Sequence, residues 1–319
     1  MCGGPQRIVV LIFSRDRAMQ LDATLRSFFL HCQDPESVHL YVLYRATNVL
    51  HATQYTELAR EYAEEESVRF VKQENFRADV LRLLSARAGA DWLGLFGRFA
   101  AGLAGRSGLL DRLRFDRGRT DYALLLVDDN IIVRDFSLRG VCAALGAHAD
   151  AVGFSLRLGT NTTYCYSRDR SQEVPPCTRV GEGILKFDWT NAEWDFGYPL
   201  EISSSIYRLG ELIPLLRELV FENPNSLESH MAGRAPAIQG KYPYLLCFEQ
   251  SATFCNALNR VQDVYVTNRA GTAPEYESER LTQMFAAGYR IRVDAYSGFV
   301  PLACHQEVKL VFEKHGEDS

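Results

Sequence analysis

Short apolar runs alternate with segments of helical spacing along the first half of the chain. Residues 7–13 form the first apolar run, and residues 18–32 follow with apolar side chains at helical intervals. The same patterns predict further strands at residues 39–44, 68–71 and 151–158, and helices at residues 53–65, 76–105 and 135–148. Strands that alternate with helices predict an α/β fold with a mainly parallel sheet flanked by helices.

The strand predicted just before Asp128 ends in an unusual way. Four apolar residues, 124–127, are followed by Asp128, Asp129 and Asn130 and then by two isoleucines. Open α/β sheets bind ligands beyond the carboxyl ends of their strands. Adjacent carboxylates repel each other, so this pattern predicts a divalent cation that offsets their charge. The alternative is an ordinary strand-to-turn junction, where Asp and Asn bond the local backbone.

A polar loop, Ser14-Arg15-Asp16-Arg17, follows the first strand. The corresponding loop of a doubly wound sheet commonly holds a nucleotide. It has neither a G-x-G-x-x-G nor a P-loop glycine pattern, which disfavours Rossmann dehydrogenases and P-loop kinases. Hydroxyl and guanidinium donors suit a base, ribose or phosphate. The alternative is that Ser14 or Asp16 caps the helix that follows.

Together, the Ser14–Arg17 loop, the alternating start and the Asp128–Asn130 strand end resemble GT-A glycosyltransferases, broadly of the family 2 type. The resemblance covers about residues 7–160. It implies a single Rossmann-like α/β domain with a mixed, mainly parallel sheet, in which residues 7–158 bind the nucleotide sugar. Residues 159–319 would form an irregular acceptor-binding half that shares the sheet.

The resemblance also implies a D-x-D-like motif that binds Mn²⁺ or Mg²⁺ at the diphosphate of the donor, with a UDP-sugar favoured. Asp128 and Asn130 match the outer positions of that motif, with Asp129 between them. Asn130 replaces the usual final carboxylate, and a neutral amide oxygen is the weaker ligand, so Asp129 is the alternative. We therefore assign nucleotide binding to Ser14, Arg15, Arg17 and Asp128, and metal binding to Asp129, Asn130 and His305.

His305 enters this set because GT-A enzymes often recruit a C-terminal histidine to the metal or diphosphate. A lone histidine can equally be a hydrogen-bonded structural residue. Arg168 and Arg170, from a polar stretch predicted to be a long loop at residues 159–183, are further candidates for the phosphates.

Residues 189–198 interleave aromatic and acidic side chains, a pattern typical of sugar recognition and also of an aromatic core with acidic turns. Trp189 and Trp194 are predicted to bind the acceptor, a saccharide or another hydroxyl compound. An inverting enzyme needs a general base for the acceptor hydroxyl. Asp195 is the first choice, Glu193 the second and Glu201 the third, whereas in a retaining enzyme they would only position substrates. Glu228 and His230, on a helix predicted to be capped by Ser226, would also face the acceptor.

Composition narrows the class of protein. A net charge of −5 gives no field that would attract nucleic acid. The 8 cysteines include no C-x-x-C pair, which disfavours a zinc cage and suits a reducing cytoplasm. No run of 18 apolar residues or signal peptide is apparent, although residues 92–110 come closest to a membrane segment. The expected location is the cytoplasm, with peripheral contact at the inner face of a membrane as an option. An arginine cluster at residues 106–119 is either a solvated face or a docking site for an anionic surface.

Three functions remain open from the sequence. The leading one is a glycosyltransferase of bacterial surface polysaccharide or glycoconjugate synthesis. A sugar-phosphate nucleotidyltransferase would also use a carboxylate-bound Mg²⁺, but its usual glycine-rich basic loop after the first strand is missing here. The departure at Asn130 leaves room for a non-catalytic carbohydrate-binding protein of the same fold.

Overall fold

The computed structural model describes residues 7–85, 120–261 and 269–314. The strands of these ranges are β1 Arg7–Arg15, β2 Val38–Arg45, β3 Val68–Lys72, β4 Thr120–Val127, β5 Asn130–Ile132, β6 Ala151–Ser155, β7 Tyr164–Cys165, β8 Arg170–Ser171, β9 Cys177–Gly181, β10 Ile184–Asp188, β11 Ser205–Arg208, β12 Tyr244–Phe248, β13 Thr253–Cys255, β14 Tyr289–Ile291 and β15 Phe312–Lys314. The helices are α1 Ala18–His31, α2 Val49–Glu61, α3 Phe76–Ser85, α4 Leu138–Ala147, α5 Leu209–Glu218, α6 Pro224–Ala232, α7 Ala235–Ile238 and α8 Ser278–Ala286. Single 3₁₀ turns lie at Pro35–Ser37, Tyr166–Arg168, Pro274–Tyr276 and Val293–Tyr296.

The described strands build a nine-stranded sheet in the order β3-β2-β1-β4-β11-β6-β12-β10-β9. The first four of these strands are parallel to one another, and β6 and β12 are a further parallel pair. β11 and β10 run against their neighbours. The predicted class, an α/β fold with a large, mainly parallel sheet, is confirmed.

Helices cover both faces of the sheet, and this explains the continuous apolar run of β1. Ile8, Val10 and Ile12 pack in the layer that contains α1, α2 and α4. Val9 and Leu11 point to the opposite layer, which contains α3, α5 and α6. A strand buried on both faces has no solvent-facing positions, so its apolar run is continuous rather than alternating.

The predicted elements of the first half match the structure closely. β1 to β4 and α1 appear where they were predicted, and α2 begins at Val49, four residues earlier than the pattern indicated. The predicted helix at residues 76–105 is confirmed for Phe76–Ser85. Its remainder, the apolar residues 92–110 and the arginine cluster at 106–119 lie outside the described residues.

Two predictions in the second half are wrong. Residues 159–183 are not one long loop, because β7 and β8 form a small hairpin there and β9 becomes an edge strand of the main sheet. The N-cap of α6 is Asn223 rather than Ser226. The Asn223 side chain accepts from the backbone N–H of Ser226, and the Ser226 hydroxyl accepts in return, so the two residues form a capping box.

None of the helices in the described ranges is both long enough and apolar enough to cross a membrane.

Candidate functional site

A cavity of about 440 Å³ opens at the carboxyl ends of the four parallel strands β1 to β4. Its strand-end wall contains Ser14 and Arg15 of β1, Arg45 of β2, Gln73 after β3, and Asp128 after β4. Because the carboxyl ends of parallel strands meet at one edge, residues far apart in the chain converge there. The rest of the lining, called the opposite wall below, consists of Ile202, Ser203, the start of α6 with Glu228, and residues 257, 259–261, 269, 270 and 305.

Asp128 is the centre of the strand-end wall. One of its oxygens, Oδ2, accepts from the Ser14 hydroxyl at 2.9 Å and from the Arg15 backbone N–H at 3.2 Å. The Ser14 hydroxyl in turn lies 2.6 Å from the Tyr55 hydroxyl of α2. Burial raises the pKa of Asp128 to about 6, although the Arg17 guanidinium acts to lower it. The end of β1 and the end of β4 are therefore held together through this one carboxylate.

Arg17 joins the two carboxylates after β4. Its Nη1 donates to Asp128 Oδ1 at 3.2 Å and to Asp129 Oδ2 at 3.1 Å, and its Nη2 donates to the carbonyl of Asn259. Only 9% of its side chain is exposed. Burial acts to lower the pKa of Arg17, but both carboxylates outweigh burial and raise that pKa above its ordinary value. Arg17 is thus a fixed positive charge between Asp128 and Asp129.

Asn130, predicted as a metal ligand, is fully buried and its amide is turned into the fold. Its Oδ1 accepts from the Val127 backbone N–H at 2.9 Å, and its Nδ2 donates to the Ser203 carbonyl at 2.8 Å. The side chain closes the turn between β4 and β5, and it ties that turn to the segment before β11. This arrangement leaves only Asp128 and Asp129 of the motif in the cavity wall.

Glu228 and His305 are the predicted residues that the structure places in the opposite wall. Burial raises the pKa of Glu228 to about 7, the nearby Arg157 guanidinium opposes that rise, and Glu201 adds to it. Burial and then Arg157 lower the pKa of His305 to about 3. At neutral pH His305 is therefore an uncharged imidazole, and Glu228 is divided between its acid and its carboxylate.

Arg157, after β6, lies behind this wall. It is 3% exposed, and its Nε is 3.7 Å from Glu201 Oε2, too far for a hydrogen bond. Glu201 instead accepts from the Ser203 backbone N–H and the Ser205 hydroxyl. Arg157 thus provides one buried positive charge to several acids, and this charge acts on the titration of both Glu228 and His305.

The aromatic segment after β10 is not part of the cavity wall. Trp189 is a core residue whose ring N–H donates to the Tyr242 carbonyl at 2.7 Å. Trp194 has a left-handed backbone (φ 51°), and its ring packs against the guanidinium groups of Arg168 and Arg170 at 5.3 and 5.4 Å. These two arginines, predicted to bind phosphate, therefore lie at Trp194 and not in the cavity wall.

Asp195 and Glu193 are likewise outside the cavity wall. Asp195 Oδ2 accepts from Gln172 Nε2 at 3.3 Å, and burial raises the pKa of Asp195. Glu193 is exposed. The structure brings the predicted nucleotide residues together with Asp129, Glu228 and His305, and it separates them from Trp189, Glu193, Trp194 and Asp195.

The described part of the chain does not hold the arrangement expected of a divalent metal on both carboxylates. Within it, no group of three or more His, Cys, Asp or Glu side chains is placed to hold a metal ion. The position between Asp128 and Asp129 is taken by Arg17 Nη1, and the Asn130 oxygen is engaged elsewhere. As arranged, these residues do not fit a metal bound to the pair, and the predicted dependence on Mn²⁺ or Mg²⁺ stays a prediction.

Several polar residues of the cavity wall were not foreseen. Arg45 ends β2 and Gln73 follows β3, so the rule on strand ends could have identified them. Asn259, Arg260 and Arg269 lie in no described helix or strand, and only the folded structure brings them to the cavity.

Comparison with known proteins identifies one curated relative. The chain is 24% identical over 286 aligned positions to the bifunctional glycosyltransferase pgtA of Dictyostelium discoideum, covering 81% of this chain and 33% of the relative. The chain is similar to a glycosyltransferase. This similarity confirms the resemblance to that class of enzyme which the Ser14–Arg17 loop and the Asp128–Asn130 strand end indicated. The chain spans about a third of the length of this relative.

No protein-family model matches the chain. Among solved structures, S. aureus TarS 1–349 superposes with a TM-score of 0.45 at 10% identity, covering 79% of this chain and 61% of that one. The same protein in complex with UDP-GlcNAc gives 0.45 at 12% identity, with 85% and 63% covered. The bifunctional WbbM gives 0.35 at 11% identity, with 75% and 37% covered.

Proposed function

We propose that this chain is a glycosyltransferase that moves a sugar from a nucleoside diphosphate sugar, UDP-linked in our proposal, to a hydroxyl of a saccharide or other acceptor. One observation carries the proposal. The cavity at the ends of β1 to β4 combines an arginine-bridged acidic pair with an acid of raised pKa on the opposite wall. The similarity to a curated glycosyltransferase supports the same class.

The strand-end wall suits the donor. Donors from the end of β1 and from Arg17 just after it surround Asp128, and Arg15 is about one-third exposed at the cavity (35% of its side chain). A nucleoside diphosphate leaves readily only when its developing negative charge is offset. Arginine side chains of the wall, Arg15 and Arg45 among them, provide positive charge for that purpose.

The opposite wall suits the acceptor, and we place the general base at Glu228 instead of Asp195. In an inverting transfer the acceptor oxygen attacks the anomeric carbon and forms the new C–O bond. The bond from that carbon to the diphosphate oxygen breaks, and the hydroxyl proton passes to the Glu228 carboxylate. A base with a pKa near the working pH combines a useful carboxylate fraction with proton affinity, and the pKa of Glu228 is about 7.

The donor is tested by thermal shift with UDP, GDP, ADP and CDP, followed by transfer assays with UDP-sugars and a panel of saccharide acceptors. A ligand that binds only the folded state at a hundredfold excess over Kd stabilises it by about 2.7 kcal/mol, so UDP should raise the Tm. Release of UDP that depends on the acceptor supports the transfer. Pyrophosphate release from a nucleoside triphosphate and a sugar phosphate would favour a nucleotidyltransferase, and saccharide binding without turnover a carbohydrate-binding protein.

The base is tested with Glu228→Gln, which keeps the shape of the side chain and cannot take the proton. We expect turnover to fall by about 10²–10⁴-fold while the affinity for UDP is retained. In the unchanged protein, turnover should rise with pH through about 7, because only the Glu228 carboxylate acts as base. Asp195→Asn is the matched comparison and should keep most of the turnover. A large loss in Asp195→Asn with near-normal Glu228→Gln would move the base back to Asp195.

A further inference from the structure

The most unusual feature of the cavity is the cation already built into its acidic pair. We infer that the Arg17 guanidinium does the work of a divalent metal at Asp128 and Asp129, so that the donor nucleotide binds there without a metal ion. The inference rests on the proposed function for its ligand, a nucleoside diphosphate.

Arg17 is fixed at several points. Nη1 contacts one oxygen of each carboxylate, at 3.2 and 3.1 Å, and Nη2 donates to the Asn259 carbonyl. Its backbone N–H donates to the Tyr55 hydroxyl at 3.2 Å, directly before the first residue of α1. Because both its guanidinium and its backbone N–H are hydrogen-bonded, Arg17 is a fixed part of the cavity wall.

The charges explain why a metal and Arg17 exclude each other here. Two carboxylates and one guanidinium leave the cluster with a single negative charge, which a dication would reverse. To reach both carboxylates, the ion would have to displace Nη1 from its two oxygens. The guanidinium would then be buried beside a like charge without its partners, and a buried charge that loses its partner is strongly destabilised.

The remaining wall provides what a metal usually gives to the diphosphate. Beside Arg17, four further arginines line the same cavity: Arg15, Arg45, Arg260 and Arg269. Arginine binds phosphate oxygens through charge-assisted and often bidentate hydrogen bonds. These side chains place positive charge along the cavity, and one of them, Arg269, is paired with Asp169 at 2.7 Å.

The first experiment uses the unchanged protein and needs no variant. The Kd of UDP is measured by calorimetry in EDTA, in Mn²⁺ and in Mg²⁺, and we expect the three values to agree within about twofold. A tenfold or larger weakening in EDTA would overturn the inference. If UDP binds in none of the three, the proposed donor fails. In that case, titration with Mn²⁺ alone, monitored by electron paramagnetic resonance, still tests the role of Arg17. Bound Mn²⁺ in the unchanged protein that is lost in Asp129→Asn would contradict the inference.

The second experiment removes the guanidinium in Arg17→Met. The carboxylates are then unpaired and repel the diphosphate, so UDP binding in EDTA should weaken at least tenfold. The vacated pair should now bind Mn²⁺, which should recover part of the lost affinity. Arg139→Met is the matched control, since Arg139 is exposed and pairs with Glu36 on the surface. Unchanged UDP binding in a folded Arg17→Met protein contradicts the inference. Should that variant not fold, Arg17→Lys and the measurements on the unchanged protein decide.

Discussion

At the scale of single residues, Asn130 shows how a motif position can serve the fold. The sequence placed it at the outer position of a D-x-D-like motif, and the structure uses both ends of its amide to fix the turn after β4. Nothing in the local sequence distinguishes these two uses, because the Ser203 carbonyl that it binds lies 73 positions further along the chain. Asp128 was foreseen for the opposite reason, since its position depends only on where a recognisable strand ends.

The two hydrogen bonds of the Asn130 amide predict the effect of placing a carboxylate at position 130. In Asn130→Asp the donor to the Ser203 carbonyl is lost and an acid occupies a fully buried position. We expect the free energy of unfolding to fall by about 1–3 kcal/mol, with no gain in Mn²⁺ affinity. Urea unfolding and a Mn²⁺ titration measure the two effects. Asn48→Asp, the same change at the exposed N-cap of α2, should be nearly neutral. Tighter Mn²⁺ binding by Asn130→Asp would show that the side chain reaches the cavity.

At the scale of elements, α6 contains both a stabilising capping box and Glu228 of the opposite wall. Its capping box pairs Asn223 with Ser226, and Glu228 lies on the next turn and faces the cavity. Asn223→Ala removes the acceptor of the Ser226 N–H and should cost about 1 kcal/mol. The shift in the urea midpoint gives this value, and the exposed Ser229 of the same helix provides the control Ser229→Ala. Equal midpoints for the two variants would mean that the box does not stabilise α6.

Helices and strands were predictable where their burial alone determines the pattern of apolar residues. β1 and β4 are covered on both faces, so their apolar runs are continuous, and α1 carries its apolar positions at helical spacing. β9 was missed because three of its five residues are polar or glycine, as suits an edge strand with much of its surface exposed. The strand-end wall of the cavity follows from where the strands end, and Ser14, Arg15, Arg17 and Asp128 were foreseen there, whereas Arg45 and Gln73 were not. The opposite wall depends on long-range packing, and for the proposed general base the sequence favoured Asp195 over Glu228.

At the scale of the whole molecule, a buried ion cluster fastens the end of the described chain to its beginning. Arg290 of β14, 1% exposed, donates to Glu57 and Glu61 of α2 at 3.2 and 2.9 Å. Asp22 of α1 lies 3.9 Å from Arg290 and 3.7 Å from Arg26. Burial raises the pKa of Asp22 to about 7 despite both arginines, with Glu61 adding to the rise. The folded state therefore prefers Asp22 protonated.

The sign of the pH dependence follows from this preference. A carboxyl whose pKa is higher in the folded state stabilises that state at low pH and loses this contribution as the pH rises through the folded value. Asp22 should therefore make the free energy of unfolding fall between about pH 4 and pH 7. Asp22→Asn should remove this part of the slope and leave the part due to Asp128 and Glu228, whose pKa values burial also raises. Urea unfolding across this range measures it. Asp294→Asn, at an exposed pair with Arg292, should leave the slope unchanged. A slope that is as steep in Asp22→Asn as in the unchanged protein would assign the titration to other groups.

The order of the central sheet also limits how such a protein can diversify. β4 from the first half is followed by β11, then β6, then β12, so strands of the two halves alternate across the sheet. A chimera that joins residues 7–158 of this chain to the second half of a relative would have to rebuild three strand interfaces at once. Recombination at the midpoint should therefore give insoluble products. Exchange of the surface segments around α6 leaves the sheet intact, and it offers the practical route to a new acceptor preference.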